Sequence, residues 1–291
     1  METTIYKKGL NYSIVKHRIS DWLFNYANNA KQKGYIIGVS GGIDSAVCST
    51  LCAMTGLSLT VVRMSIHQAP DQADRGEKHI EWLKANFPNV KSLDIDLTEA
   101  YDKEIELLTK AGAFENVDKD LLFLTSSNTR SRLRMVTLYG IGGAHGLLVC
   151  GTGNKVEDYG VGFFTKFGDG GVDLSPIGEL MKSEVYALGK ELGVIQEILD
   201  ARPTDGLWDD GRTDEDQIGA TYDELEWALE FCDKCSDEVV DNFVSGFESN
   251  FFSPLTERQK TVIRIYWKRH KVNTHKMSMP PICGLNSIRN L

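Results

Sequence analysis

Ser40-Gly41-Gly42-Ile43-Asp44-Ser45 is the stretch whose residue types and order best suit chemistry on an anion. Two adjacent glycines let the backbone turn sharply, and the N–H groups in the first turn of a helix have no partner inside the helix. A phosphate can bind at such a turn. Because the Asp44 carboxylate would repel a phosphate, the pattern suggests Mg²⁺ between the two. The alternative is a plain turn in which Asp44 complements the helix dipole.

The residues on either side of this loop predict a strand, a turn and a helix. An apolar run from Tyr35 to Val39 enters the loop, and apolar residues leave it at helical spacing, namely Ile43, Val47, Leu51 and Met54. The loop lacks the Gly-Lys-Ser/Thr ending of a Walker A motif, and its glycines do not fit the dinucleotide fingerprint G-x-G-x-x-G. Two common nucleotide-binding motifs are therefore excluded.

Residues 151–173 form a second candidate site, predicted as a long loop. Loops of this length in compact folds are usually functional or disordered, and the aromatic residues, lysines and carboxylates here argue against disorder. Glu157 is a candidate second Mg²⁺ ligand, and Thr152 could contact a phosphate or ribose. The phenylalanines could pack against a flat ring. The alternative for each carboxylate is ordinary solvation.

Two predicted helices carry conspicuous cations. Lys182 lies near the start of a helix over residues 181–193, where a cation opposes the helix dipole unless an anionic ligand is present. Another helix, with Ser126-Ser127-Asn128 as its cap and glycines 140, 142 and 143 as its end, carries three arginines. Arg130 and Arg134 share one side and Arg132 faces another, since i and i+2 point apart. A solvated basic helix is the alternative.

Strand candidates alternate with helices along the first 200 residues. The strands are residues 35–39, 57–64, 90–95 and 147–150, and the helices cover residues 10–33, 43–54, 73–85 and 98–110, the last with Thr98 as its cap. This alternation predicts an α/β fold with a doubly wound parallel sheet, whose ligands lie at the carboxyl ends of the strands. Further helices are expected from residue 221, over 237–247 and over 256–270. We expect one domain over residues 1–291, with an N-terminal helix at 10–33, a nucleotide-binding core at about 34–200 and a helical part at about 201–291.

Composition narrows the class of protein. The net charge of −9 over 291 residues argues against a general nucleic-acid surface, which needs clustered positive charge. No signal peptide or membrane-spanning apolar run is evident, so we expect a cytoplasmic protein without a membrane partner. The six cysteines have no second pair or nearby histidine to complete a zinc site, and we expect reduced structural thiols.

The ordered set of motifs resembles the bacterial NAD synthetases, a branch of the ATP pyrophosphatases, whose adenine nucleotide alpha hydrolase-like fold fits the predicted sheet. The resemblance covers about residues 10 to 280. Its most specific segment is Gly162-Phe163-Phe164-Thr165-Lys166-Phe167-Gly168-Asp169-Gly170-Gly171, which the GMP and asparagine synthetases and the tRNA thiolases lack. The other matching motifs are the loop at 38–45, Arg132-x-Arg134-Met135, Gly151-Thr152 with Glu157, Asp173, Lys182, Pro203-Thr204 and His275-Lys276. Asn154-Lys155 departs from the Asp-His of many relatives.

The resemblance implies ATP-dependent adenylation of deamido-NAD, release of pyrophosphate, and attack by ammonia to give NAD and AMP. It implies Mg²⁺ on Asp44 and Glu157, with Lys182 as the third catalytic residue. Contacts to ATP are implied for Gly38, Val39, Ser40, Gly41, Gly42, Ile43, Asp44, Ser45, Arg63, Thr152, Lys182 and Thr204. Contacts to deamido-NAD are implied for Arg132, Lys166, Asp173, His275 and Lys276.

The nitrogen source and the assembly are further implications of the resemblance. Glutamine-dependent relatives carry an amidase domain before the synthetase, whereas 37 residues precede Gly38 here, so we expect direct use of ammonia. The family forms homodimers with substrate sites at the interface, and we expect the same. The alternatives are another ATP pyrophosphatase, such as a tRNA-modifying thiolase, and a catalytically inactive nucleotide-binding regulator.

Overall fold

The computed structural model describes residues 9–67, 70–204, 213–247 and 251–284, without the side chains of 70–73. Four parallel strands form its sheet in the order β3-β2-β1-β4. Their bounds are Gly34–Gly38 for β1, Ser58–Ser65 for β2, Val90–Asp96 for β3 and Leu147–Val149 for β4. The strand order changes direction between β1 and β4. This switch lies at the end of β1, where the loop of residues 38–45, called the phosphate loop below, begins.

Helices connect the strands and continue beyond them. Those of the first part are α1 Tyr12–Asn29, α2 Ile43–Met54, α3 Pro70–Asn86, α4 Thr98–Lys110, α5 Lys119–His145, α6 Lys182–Leu192 and α7 Gln196–Leu199. Those of the second part are α8 Asp214–Ile218, α9 Tyr222–Cys232, α10 Asp237–Val244 and α11 Glu257–Asn273. Over the described ranges, no helix is both long and apolar enough to cross a membrane.

Apolar side chains cover both faces of the sheet, which confirms the predicted α/β class. One cluster packs β1 against α1, α2 and α6, with Tyr35, Ile37 and Leu51 fully buried. A second cluster packs the other face of the sheet against α5. Burying one such side chain stabilises the fold by about 1.5–3 kcal/mol. A third cluster joins α9, α10 and α11 to the residues around Val156 and Val161.

The long arginine helix begins and ends elsewhere than predicted. α5 begins at Lys119, and Asp118 caps it by accepting hydrogen bonds from the N–H groups of residues 120 and 121, so residues 126–128 lie inside the helix. Glycines 140, 142 and 143 also lie inside it, and Gly146 ends it with φ of 70°. Gly142 faces the sheet, where a Cβ would lie 3.0 Å from the Leu147 carbonyl oxygen and 3.1 Å from Ile36. That glycine therefore permits close packing and does not mark the end of the helix.

Two other local predictions were wrong. Leu97, not Thr98, is the N-cap of α4, and the Thr98 hydroxyl instead accepts a hydrogen bond of 3.3 Å from the His67 backbone N–H. The segment 151–173 is not wholly a loop, because Lys155–Val161 forms a π-helix. The Asn154 side chain caps this π-helix and thereby supplies the acceptor that its first N–H groups need.

Candidate active site

A cavity of about 1010 Å³ opens at the carboxyl ends of the strands. It lies at the upper end of the usual range for ligand sites, about 300–1,000 Å³. The phosphate loop, α5, the segment 151–169, Lys182, and residues 203–204 and 273–276 line it. Of the site residues predicted from the sequence, the cavity lining includes all except Arg63 and Asp173.

The phosphate loop presents an open helix N-terminus to this cavity. Gly42 is the N-cap of α2 and makes no side-chain capping bond. Serine hydroxyls hold the turn instead, because Ser45 Oγ accepts from the Ser40 N–H at 3.3 Å and donates to the Gly42 carbonyl at 3.0 Å. Gly41 has φ of 83°, a conformation that glycine adopts readily. The loop is therefore shaped for an anion at its backbone N–H groups.

Lys182 lies between the two carboxylates that were predicted to hold Mg²⁺. Its Nζ is 2.7 Å from Asp44 Oδ2 and 2.7 Å from Glu157 Oε1. The side chains are 5%, 18% and 15% exposed for Lys182, Asp44 and Glu157. The two carboxylates thus compensate the unfavourable interaction between the positive charge of Lys182 and the dipole of α6. The ammonium group of Lys182 already neutralises one of their two charges.

Burial and mutual charge set the protonation of this triad. Burial acts to lower the pKa of Lys182, but Asp44 and Glu157 outweigh it and hold that pKa above its ordinary value. Burial raises the pKa of Asp44. For Glu157 burial is also the largest influence, yet the charge of Lys182 and hydrogen bonds together hold its pKa below the ordinary value. The lysine is accordingly charged at neutral pH.

Two residues that the sequence analysis did not assign to the site orient the carboxylates. Asn154 is fully buried and donates from Nδ2 to Asp44 Oδ1 at 3.0 Å, while its Oδ1 accepts from the N–H groups of Val156 and Glu157 at 3.1 Å each. The Tyr222 hydroxyl donates to Glu157 Oε1 at 2.5 Å. An Asn or Asp directly before a helix is a recognisable N-cap pattern, and it could have identified Asn154 from the sequence. No local pattern near Tyr222 indicates its contact with Glu157.

The carboxylate pair has the donor chemistry for Mg²⁺. Mg²⁺ binds oxygen, keeps several waters, and commonly takes one or two carboxylates plus substrate phosphates. Asp44 and Glu157 already share one cation at equal distances, and Glu157 lines a small cavity together with the loop residues Ser40, Asp44 and Ser45. The described residues contain no cluster of three or more potential metal-binding side chains. The residues therefore fit an ion that bound phosphates help to hold, and do not form a complete protein cage.

Two further carboxylates lie beside Glu157. Burial, reinforced by the charges of Asp169, Glu157 and Asp44, raises the pKa of Asp158 well above its ordinary value. Asp169 is held in place by Ser131, whose Oγ donates to it at 2.6 Å, and by the Thr165 N–H at 3.0 Å. The surroundings of Asp158 therefore disfavour a further negative charge in this corner of the cavity.

The three arginines of α5 all border the cavity, so the helix is not simply a solvated basic one. Arg130 lies over the Tyr101 ring at 5.1 Å. Arg132 donates to the Lys166 carbonyl at 3.2 Å. Arg134 donates to the Met64 carbonyl at 3.1 Å, and burial, followed by repulsion from Arg130, lowers its pKa.

The segment 162–169 is held from the C-terminal side. Lys276 Nζ donates to the carbonyl oxygens of Gly162 at 2.5 Å and Phe164 at 2.6 Å. Lys166 Nζ donates back to the His275 carbonyl at 2.6 Å. A Cβ at Gly162, whose φ is 67°, would lie 2.3 Å from Asn273 Cβ. The close packing of α11 therefore requires glycine at that position.

Arg63 and Asp173 lie outside the cavity lining. Arg63 forms ion pairs with Asp94 and, at 3.0 Å, with Glu77. Asp173 accepts from the Val149 N–H at 2.7 Å and from the Tyr139 hydroxyl at 3.1 Å. The roles of the predicted site residues in binding ATP or deamido-NAD stay predictions at this point.

The cysteines in the described part of the chain are free. Cys52 and Cys150 are buried with their sulfur atoms 3.5 Å apart, next to Cys48 in the core beneath α2. Cys232 is buried in the helical part, and burial raises its pKa to about 12. A thiol with a raised pKa is a poor nucleophile at neutral pH, which fits a structural role.

Comparison with known proteins identifies relatives over nearly the whole chain. The family model described as NAD synthase matches residues 15–280. An NH(3)-dependent NAD(+) synthetase from Alkaliphilus metalliredigens is 36% identical over 91% of this chain and 96% of its own length. Another from Archaeoglobus fulgidus is 34% identical over 96% of this chain and 100% of its own.

A solved structure has the same fold. The NMN synthetase from Francisella tularensis superposes with a TM-score of 0.74 and 31% identity, over 95% of this chain and 100% of its own. The shared fold and the 31% sequence identity agree with the family match. The resemblance seen in the sequence motifs is therefore confirmed.

Proposed function

The chain belongs to the NAD synthase family, and from that premise we propose that its large cavity performs the family's reaction with the residues described above. The chain is a ligase that amidates deamido-NAD to NAD with ATP as co-substrate and ammonia as nitrogen source. The family match over residues 15–280 favours this reading over a thiolase or an inactive regulator. The observation that carries the proposed site is Lys182 between Asp44 and Glu157, at the mouth of the phosphate loop.

The phosphate loop is proposed to hold the triphosphate. The open N-terminus of α2 offers backbone N–H groups to the β- and γ-phosphates, with residues 38–45 around them. Thr152 and Thr204 border the same cavity and are proposed ATP contacts. Arg63, which is paired with Glu77 and Asp94, is a proposed ATP contact only through a change of partner.

Activation of the nicotinate carboxylate is the demanding step. That carboxylate attacks the α-phosphorus and pyrophosphate leaves; ammonia then attacks the activated carbonyl carbon, loses a proton, and displaces AMP. Negative charge gathers at phosphorus in the transition state, and a buried ammonium group stabilises it more strongly than one in water. Lys182 is proposed to supply that charge. No side-chain nucleophile is needed, because the substrate carboxylate and ammonia are themselves the attacking groups.

Mg²⁺ is proposed to bind Asp44 and Glu157 together with phosphate oxygens. When bound, it would supply positive charge to the leaving pyrophosphate. Asn154 and Tyr222 orient the two carboxylates by donating hydrogen bonds directly to them, and these hydrogen bonds do not require the ion. Lys182 binds the same two carboxylates, so its ammonium group lies at the phosphate end of the cavity.

The segment 162–169 and the residues 275–276 are proposed to bind deamido-NAD. Arg132, Lys166 and Lys276 border the cavity on that side and provide positive charge for the pyrophosphate or carboxylate of the substrate. Asp173 is proposed to contact the substrate from the edge of the site.

The test mixes the protein with ATP, Mg²⁺, deamido-NAD and ammonium and follows NAD, AMP and pyrophosphate. We expect the three products in equal amounts, because each amidation consumes one ATP between its α- and β-phosphates. Replacing ammonium with glutamine should lower the rate sharply. Absence of NAD together with absence of pyrophosphate would contradict the proposal. Replacing Cys150 and Cys232 with alanine should leave the yield of NAD unchanged, whereas a thiolase mechanism requires a cysteine.

A mononucleotide substrate is the second candidate. The observation in its favour is the likeness to the protein named NMN synthetase, over 95% of this chain. By the same chemistry, amidation of nicotinate mononucleotide would give NMN. The two substrates are compared by kcat/KM in one assay, and a higher value for the mononucleotide would make it the preferred substrate.

A homodimer is also proposed. Exposed apolar side chains on α1 and α5 support it, because large apolar side chains left exposed on neighbouring elements often mark an interface. These residues are Ile14, Trp22, Phe24, Tyr26, Leu121, Leu124, Val136 and Tyr139. Tyr26 and Tyr139 also contact Asp173, so this surface adjoins the proposed substrate side. Sedimentation equilibrium tests the proposal, and a monomer at micromolar concentration would contradict it.

A further inference from the structure

Helix α3 packs directly against the phosphate loop. A Cβ built on Gly76 would lie 3.6 Å from the Gly41 backbone nitrogen and 3.7 Å from the Val39 carbonyl oxygen. The first turns of α3 therefore lie within van der Waals distance of the loop backbone. Arg75, the residue before Gly76, borders the same cavity as the loop. None of the motifs in the sequence analysis includes this residue.

The Nε of Arg75 lacks an acceptor within the part of the chain that the structure describes. This nitrogen atom is also buried from solvent. Arg134, by contrast, donates from Nε to the Met64 carbonyl. Arg130 shares the unpartnered Nε but lies over the Tyr101 ring. A desolvated donor without an acceptor is costly, so a ligand that accepts from it gains affinity.

The charges at the loop explain why another cation is needed there. Asp44, Glu157 and Lys182 together carry one net negative charge, and the lysine is bound to both carboxylates. A triphosphate entering this corner meets that charge at close range. Lys182 cannot contact both carboxylates and the whole phosphate chain at once. A guanidinium from α3 would reach the phosphates from a third element, separate from α2 and the π-helix, which carry the carboxylates.

We propose that Arg75 binds the β- and γ-phosphates of ATP and, after adenylation, the leaving pyrophosphate. This inference rests on the proposed function, because it places the triphosphate in the phosphate loop. The planar guanidinium presents paired N–H donors that match two phosphate oxygens, which lysine cannot reproduce. Pyrophosphate gains negative charge as the bond to the α-phosphate breaks, so the arginine binds the leaving group more strongly than the substrate.

Direct binding of inorganic pyrophosphate and of AMP tests this inference without turnover. Isothermal titration calorimetry with Mg²⁺ present compares the wild-type protein with Arg75→Ala, Arg75→Lys and Lys78→Ala. Lys78 lies on the same helix, exposed and paired with Asp74, so its replacement removes the same charge away from the cavity. We expect Arg75→Ala to weaken pyrophosphate binding about tenfold to a hundredfold and to leave AMP binding unchanged, since AMP lacks the β- and γ-phosphates.

The variants separate a phosphate contact from a structural effect. Arg75→Lys should recover only part of the lost affinity, and Lys78→Ala should bind pyrophosphate as the wild type does. Equal weakening of pyrophosphate and AMP, or unchanged pyrophosphate binding in Arg75→Ala, would overturn the inference. If the wild type made no NAD but bound pyrophosphate, and Arg75→Ala weakened that binding alone, the result would contradict the proposed function and support the Arg75 contact.

Discussion

The two sides of the cavity are held by different kinds of contact. The phosphate side, meaning residues 38–45 with Asp44, Glu157 and Lys182, stands on buried strand and helix residues and on a charged triad with contacts of 2.7 Å. The substrate side, meaning residues 162–169 with 273–276, is held by lysines that donate to backbone carbonyls. The ion pairs of the triad hold charged groups in position on the phosphate side. The lysine–carbonyl hydrogen bonds hold the backbone conformation of the loop on the substrate side.

This difference separates two kinds of kinetic effect. Loss of charge on the phosphate side removes stabilisation of the transition state and lowers kcat. Loss of a lysine that shapes the substrate loop disturbs binding of deamido-NAD and raises its KM. A mutation on one side that changed the parameter assigned to the other would break the comparison.

Lys182→Ala should have the largest effect. It leaves two buried carboxylates without their shared cation and removes the charge that stabilises the transition state. We expect kcat for adenylation to fall by about a hundredfold or more, with a smaller change in the KM for deamido-NAD. Release of pyrophosphate in single turnover measures this step. Lys190→Ala, an exposed lysine on the same helix, is the control and should retain wild-type rates. An adenylation rate equal to that of the control would remove Lys182 from the mechanism.

Acid should lower the free energy of unfolding through a buried histidine next to α2, the helix that follows the phosphate loop. His79 is fully buried beneath α2, where Nε2 lies 3.0 Å from Ser49 Oγ, and burial lowers its pKa to about 4. An unfolded chain has a histidine pKa of about 6.5, so between these values it binds more protons than the folded protein. The contribution of His79 to stability is therefore full above pH 6.5. It falls by about 2 kcal/mol at pH 5 and by about 3 kcal/mol at pH 4.

Urea unfolding of wild type and His79→Gln between pH 7 and pH 4 isolates this effect. Carboxylates contribute acid sensitivity to both proteins, so the difference between the two pH dependences belongs to the histidine. We expect the wild type to lose about 2 kcal/mol more than the variant on going from pH 7 to pH 5. Parallel pH dependences would show that His79 is protonated as readily in the folded protein as in the unfolded chain.

Lys276→Met tests the substrate side. It removes the two hydrogen bonds to Gly162 and Phe164 while keeping an apolar side chain over the Phe164 ring, which Lys276 Nζ approaches at 4.6 Å. We expect the KM for deamido-NAD to rise about tenfold and the KM for ATP to change little. Lys271→Met, an exposed lysine of α11 paired with Asp237 and Asp241, is the matched control. A fall in kcat alone would contradict the division between the two sides.

The sequence predicts the phosphate side better than the substrate side, for physical reasons. A strand, two glycines and a helix are local, so the loop at 38–45 and the alternation of strands and helices follow from residues close together in the chain. The pairing of Lys276 with Gly162 joins residues 114 positions apart, and no local pattern encodes it. Family motifs identified both residues, but not the contact between them. The start of α5 at Lys119 was missed although Asp118 has a capping side chain, because the Ser-Ser-Asn run offered a competing cap.

Substitutions of Asn154 test which local contacts support the charged triad. Their expected effect on the adenylation rate is the smallest of those considered. Its Oδ1 caps the π-helix and its Nδ2 holds Asp44, so two substitutions separate the two contacts. Asn154→Ala removes both and should lower stability by about 1–2 kcal/mol, as loss of a helix cap does. Asn154→Asp keeps the cap but places a carboxylate against Asp44, so it should recover most of the stability and not the activity.

Thermal unfolding and the adenylation rate are measured on the same preparations. We expect both variants to be about tenfold slower than wild type, since one hydrogen bond to a charged group is worth about 1.5 kcal/mol. If Asn154→Asp regained the wild-type rate, the hydrogen bond to Asp44 would have no part in orienting the phosphate side.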